Sequence, residues 1–149
     1  MFKSLLVQIT VAGAVVAAPL AHAASPVIEV YKTASCGCCT AWVDHLKSNG
    51  FNVVAHNVED PGSIRARFGI AEKYGSCHTG VVNGYAIEGH VPADSIKKLL
   101  KEKPKASGLA VPGMPMGSPG MEGHPKDAYD VLLVDKKGNA STFTSHTGK

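Results

Sequence analysis

The chain reads as an α/β fold, one mixed sheet with helices on its faces. Three patterns predict it. Short β-branched runs alternate with stretches whose apolar residues recur three and four positions apart. An Asn83-Gly84 pair divides two apolar runs, the preferred two-residue turn of a β-hairpin. Three of the four cysteines crowd into Cys36-Gly37-Cys38-Cys39, between the first β-rich run and the first helical pattern.

The elements follow in order. Val27 to Tyr31 has strand composition. Cys39, Trp42, Val43 and Leu46 fall at i, i+3, i+4 and i+7, one face of a helix that Asn49-Gly50 stops. Asn52 to Val58 is a second strand. Asp60-Pro61 is an N-cap and N1 pair, opening a short helix with Ile64 and Phe68 on one face. Thr79 to Val82 and Tyr85 to Glu88 form the Asn-Gly hairpin. Pro92 opens a helix carrying Ile96, Leu99 and Leu100, and Pro104 ends it. Residues 108–125 are rich in Gly, Pro and Met and show no period. Tyr129 to Val134 and Ala140 to Thr144, joined through Lys137-Gly138-Asn139, make a last hairpin. The order is thioredoxin-like, with an added C-terminal β-hairpin and a Gly/Pro/Met loop.

The first residues have the layout of an export signal. Lys3 precedes a mostly apolar stretch from Leu5 to Leu20, and Ala21-His22-Ala23 is a small-x-small cleavage pattern. The expectation is a cleaved signal peptide over residues 1–23 and a single domain over residues 24–149. The apolar stretch is short of the roughly 20 clean residues a membrane span needs. About 125 residues remain, the size of one ordinary domain. The formal charge is +3. Lys97, Lys98, Lys101 and Lys103 cluster on the polar face of one expected helix, which reads as a solvated face rather than a nucleic-acid surface.

An exported chain meets an oxidising compartment, where thiols pair. A bond between the neighbours Cys38 and Cys39 is strained, so two fixed disulfides would crowd one turn. The sulfurs therefore read as working groups rather than staples. Cys36 and Cys39 make a Cys-x-x-Cys where a helix begins, and the helix dipole and free N–H groups there favour thiolate. The same electrostatics suits a nucleophile or a metal ligand. The fourth cysteine, in Ser76-Cys77-His78-Thr79, enters the hairpin at the segment that faces the Cys-x-x-Cys turn in thioredoxin-like folds. A cis-proline usually stands there, and here none does. Cys77 is thus expected to face the first cluster.

Met114, Met116 and Met121 place three thioethers in the Gly/Pro-rich loop. Thioether and thiolate are soft donors, and together they select Cu(I) over harder ions. The loop is open to two readings, a copper ligand or gate and a simple connector. His78 is the first nitrogen candidate, beside its reading as a hydrogen-bonded turn histidine. Successive strand residues point to opposite faces, which sets His78 against Cys77. His90 is expected to be structural at a helix start, His45 solvated, His56 structural in its strand, and His146 exposed or disordered. His124 follows the loop within reach of copper.

Cys36-Gly37-Cys38-Cys39, Ser76-Cys77-His78-Thr79, Gly84-Tyr85-x-Ile87-Glu88-Gly89-His90-Val91-Pro92 and the run from Val111 to Met121 resemble the CopG-type family of exported copper-resistance proteins. The resemblance spans almost all of the chain after the signal. It implies a thioredoxin-like fold, a periplasmic location, copper binding and a role in copper tolerance, with other periplasmic copper carriers or exporters as partners. Carried onto this sequence, Cys36, Cys38, Cys39 and Cys77 are the primary metal ligands. Met114, Met116, Met121 and His78 are secondary candidates. Cys38 and Cys39 do not easily point at one ion, so a polynuclear, sulfur-bridged Cu(I) site is expected, with interconversion of Cu(I) and Cu(II) as a further activity. The competing readings are a thiol–disulfide oxidoreductase using Cys36 and Cys39 and a structural zinc site of the Cys₃His type.

Overall fold

The computed structural model describes residues 26–148. The expected signal peptide lies outside the described residues.

Strand β1 (Val27–Lys32) leads into helix α1 (Gly37–Ser48), strand β2 (Asn52–Asn57) and helix α2 (Pro61–Arg67). A single 3₁₀ turn at Glu72–Tyr74 precedes β3 (His78–Val82), β4 (Tyr85–Glu88) and α3 (Ala93–Glu102). Strands β5 (Ala106–Ala110), β6 (Tyr129–Asp135) and β7 (Ala140–His146) complete the chain. All strands join one seven-stranded sheet in the order β2-β1-β3-β4-β5-β6-β7. β1 runs parallel to β2 and β4 parallel to β5, while the other pairs are antiparallel. The first four strands have the thioredoxin-like order the sequence predicts.

Helix α1 buries the four residues the period picked out, Cys39, Trp42, Val43 and Leu46. Trp42, Val43 and Leu46 pack with Ile28, Val30, Ile87 and Leu109 of the sheet and Ile96 and Leu99 of α3. Alternation puts the neighbours Ala86 and Ala110 on the opposite face, against Ile70, Phe68 and Tyr74. The hairpin turn is as expected, with Asn83 at φ 48° and Gly84 at φ 80°. Both are positive, as a type I′ turn requires.

Three differences stand out. Asp60 occupies the N-cap of α2 without a side-chain capping bond, and α2 buries no residue. Strand β5 was absent from the sequence pattern because Ala106-Ser107-Gly108-Leu109-Ala110 is small and buried throughout, so it shows no alternation. By pairing with both β4 and β6, β5 joins the added C-terminal hairpin to the sheet. Finally, the Gly/Pro/Met loop folds on itself. Gly117 N–H donates to the Met121 carbonyl at 2.7 Å, Met121 N–H to Ser118 at 2.8 Å, and Asp127 N–H to Met116 at 2.9 Å. No helix among the described residues is long and apolar enough to cross a membrane.

Candidate metal centre

The site forms at one end of the sheet, where α1 begins. Cys36 is the N-cap of α1, and its sulfur accepts the Cys39 N–H at 3.3 Å. Cys36 and Cys39 are joined as a disulfide, and Cys38 and Cys77 are free. Cys38 Sγ lies 3.4 Å from Cys36 Sγ and 3.9 Å from Cys77 Sγ. Cys39 Sγ lies 3.4 Å from Cys77 Sγ. All four sulfurs fall within 4.8 Å of one another. Cys77 therefore faces the first cluster, as expected. The neighbours Cys38 and Cys39 both approach Cys77, because both stand in the first turn of α1 beside the entering segment.

A buried carboxylate fixes that segment. Glu88 Oε1 accepts the Ser76 N–H at 2.7 Å and faces Arg65 Nη1 at 3.3 Å. Its Oε2 accepts the Thr79 hydroxyl at 2.6 Å. Glu88 is fully buried, and burial raises its pKa against the pull of these partners. The two residues flanking the Cys77-His78 pair are thus tied to one side chain on the neighbouring strand.

Two imidazoles adjoin the sulfurs. His78 Nδ1 is 3.4 Å and His90 Nε2 is 3.2 Å from Cys77 Sγ. Cys77, His78 and His90 form a second group of converging donors. His78 and Cys77 reach the same place because Cys77 precedes β3 and escapes its alternation. The His78 ring lies against Trp42 and edge-on to His90. Burial holds its pKa down to about 3, and the neighbouring His90 adds to the fall.

His90, expected to be structural at a helix start, also stands beside the sulfurs. Its Nδ1 is 2.8 Å from the Pro119 carbonyl, an acceptor only. Nδ1 must therefore carry the proton, which leaves Nε2 a bare lone pair beside Cys77. The signal was present in the hairpin. Thr79 pairs with Glu88, and two more steps along that register set Cys77 opposite His90.

Burial pushes the Cys77 thiol up to about 11. The Ser76 hydroxyl pulls the other way, and Cys38 adds to the rise. A metal bound there has to displace the proton, so binding releases it.

The loop meets the site through its main chain. Beyond the Pro119 carbonyl, Gly120 (φ +86°) lies so close that a Cβ would stand 2.6 Å from the Cys38 carbonyl oxygen and 2.9 Å from Trp42 N. Met114 is 52% exposed, and Met116 packs its sulfur toward Gly123. Met121 follows the seat at Gly120 and is half-buried, while His124 is exposed. Two other histidines depart from expectation. His45 Nε2 accepts the Ala93 N–H at 3.2 Å and so caps α3 rather than facing solvent. His146 ends β7, stacked on Tyr129. His56 is structural as expected, stacked on Tyr31 and paired with Glu29.

Comparison with known proteins bears on this arrangement. The sequence profile of the family described as "Protein of unknown function, DUF411" matches residues 74–121, the stretch from Tyr74 through Cys77 and His90 to Met121. Two solved structures are similar to this chain. "Copper resistance protein copG- Form 2" is 46% identical with a TM-score of 0.78, covering 82% of this chain and 98% of that one. "Copper resistance protein copG- Form 1" is 47% identical with a TM-score of 0.77 over the same shares, 82% and 98%. No curated protein matches.

Proposed function

The chain belongs to the CopG family of copper resistance proteins, and from that premise we propose that it is a periplasmic Cu(I)-binding protein. One observation carries the proposal: four cysteine sulfurs converge within 4.8 Å of one another. Four soft donors at that spacing suit soft cations, and each thiolate has lone pairs to share between two ions. A cysteine-bridged, polynuclear Cu(I) site therefore fits better than a mononuclear one. Cys36, Cys38, Cys39 and Cys77 are its primary ligands. His90 joins His78 as a nitrogen candidate, since its Nε2 is held bare beside Cys77 by the Pro119 carbonyl. Met114, Met116 and Met121 are the thioether candidates on the approach to the site.

Loading requires the Cys36–Cys39 disulfide to be reduced, because a disulfide sulfur is a poor ligand. The reduced pair thus holds copper and the oxidised pair releases it, and closing the dithiol to the disulfide gives up two protons and two electrons, enough to reduce two Cu(II) to Cu(I). Residues 1–23 serve as the cleaved signal for export, residues 24–149 as the single mature domain, and copper is exchanged with other periplasmic carriers or exporters.

Anaerobic titration of the fully reduced chain with Cu(I), against a competing chelator, tests this. The expected result is tight binding of more than one copper per chain with sulfur-dominated coordination at the X-ray absorption edge. Binding no tighter than that of an unfolded thiol peptide would refute it. The second reading is thiol–disulfide exchange, favoured by the Cys36–Cys39 disulfide at the N-terminus of α1. It predicts exchange with a protein disulfide at a rate that metal-free buffer does not diminish.

A further inference from the structure

The four sulfurs form a closed ring. Cys36 is bonded to Cys39, Cys39 touches Cys77 at 3.4 Å, Cys77 touches Cys38 at 3.9 Å, and Cys38 touches Cys36 at 3.4 Å. With the bonded pair set aside, the two remaining thiols are each other's neighbours. We propose that Cys38 and Cys77 close into a second disulfide on full oxidation, so that the site stores four electrons and delivers them to copper(II) in two rounds.

The two sulfurs are already in contact at 3.9 Å. A disulfide needs them about 2.05 Å apart, so the gap must shrink by roughly 2 Å, a change asked of the two χ1 rotamers. Cys77 stands just before β3 and outside its ladder, its sulfur against His90 Nε2, His78 Nδ1 and Cys39 Sγ, and Cys38 is half-buried with its sulfur facing those of Cys36 and Cys77. The alternative division, Cys36 with Cys38 and Cys39 with Cys77, joins sulfurs 3.4 Å apart in each pair, and finding those two bonds in the disulfide map overturns the proposal.

The chemistry balances. Cys38 and Cys77 lose two thiol protons to water and two electrons to two copper(II) ions, giving one S–S bond and two copper(I) ions. The Cys36 and Cys39 pair does the same in the other round. Each round also removes two thiolate donors, so a chain that has spent its electrons has lost its grip on Cu(I). Reduction of copper and release of copper are then coupled in one set of atoms. The proposal rests on the copper reading above for the identity of the oxidant.

The fully reduced chain is titrated anaerobically with copper(II) in the presence of a coloured Cu(I) chelator, and its disulfides are mapped by mass spectrometry without reduction. The expected yield is about four Cu(I) per chain, one per thiol of the four cysteines, with Cys38 linked to Cys77. The Cys36→Ser, Cys39→Ser double variant keeps only the second pair and is expected to yield two Cu(I) and one intrachain disulfide. A parent yield that stops at two, with Cys38 and Cys77 still open to alkylation, overturns the proposal. So does oxidation of the double variant to chain-to-chain dimers. A second arm uses diamide, a metal-free oxidant. Pairing of Cys38 with Cys77 under diamide but not under copper(II) overturns the delivery to copper, and failure under both overturns the disulfide itself. Cu(I) binding by the reduced chain, measured separately, stands or falls independently of either arm.

Discussion

The cysteine turn and the methionine loop both bring soft donors to the same end of the molecule, yet they reach the site by different means. The turn delivers side chains. Cys36, Cys38 and Cys39 are aimed by the first turn of α1, and Cys77 by a segment that Glu88 fastens from the next strand. The loop delivers main chain. Its Pro119 carbonyl sets the tautomer of His90, and Gly120 lies against the Cys38 carbonyl. Its most exposed thioether, Met114, faces solvent. Donor chemistry is visible in both sequences, but only the turn has the short regular structure that converts spacing into position. The loop shapes the site mainly by what its backbone holds in place.

The comparison breaks most easily at Cys77. Cys77→Ser removes the corner that both Cys38 and Cys39 approach, and Cu(I) affinity is expected to fall by about 100-fold or more, beyond the loss typical of an outer-shell residue. Copper stoichiometry should fall with it. Unchanged affinity and stoichiometry in a chelator competition would separate Cys77 from the other sulfurs.

Gly120→Val tests the main-chain role of the loop. The added side chain strains a residue at φ +86° and drives a Cβ to 2.6 Å from the Cys38 carbonyl oxygen. The loop seat must shift, and Pro119 with it. Affinity should drop by about 10-fold, the lower end for an outer-shell change. The His90 imidazole should also lose its single tautomer in nitrogen NMR spectra. A parent-like spectrum would mean that Pro119 does not orient His90.

Replacing Met114, Met116 and Met121 together with Leu tests the thioethers. The expected change is a slower transfer of Cu(I) to an acceptor chelator, by less than about 10-fold, with an unaltered melting temperature. Indistinguishable transfer rates would reduce the loop to its carbonyl.

The smallest effect is on the metal-free fold. Burial holds the His78 pKa down to about 3, and the His45 and His90 pKa values are lowered by burial as well. The unfolded chain binds those protons below a pH of about 6.5 while the folded chain refuses them. Stability is therefore fully present above that pH and is lost as pH falls toward 3. Glu88, whose pKa is raised, takes its proton first in the folded state and offsets part of the loss. Melting temperatures of the reduced apoprotein should fall across this window, and a flat profile would contradict the buried, neutral state of His78.

Much of this was legible beforehand, for physical reasons. Trp42, Val43 and Leu46 repeat with the helix period, and Asn83-Gly84 is the turn chemistry a hairpin demands, so α1 and β3-β4 could be read directly. Cys77 followed from the fold. Strand β5 was hidden because small buried residues carry no alternation. The closeness of His90 to Cys77 was not read because His90 lies past the end of β4, although the Thr79 and Glu88 pairing already pointed to it. The Pro119 carbonyl had no signal, since a backbone atom at the end of an aperiodic loop has no residue type to mark it.

The central claim is that the four cysteines make one copper site holding several ions. X-ray absorption fine structure of the fully reduced, Cu(I)-loaded chain tests it most directly, taken together with the copper count on the same sample. The account predicts more than one Cu(I) per chain, sulfur as the main neighbour, and a copper–copper scattering shell. One copper or fewer per chain with no metal–metal shell would contradict it.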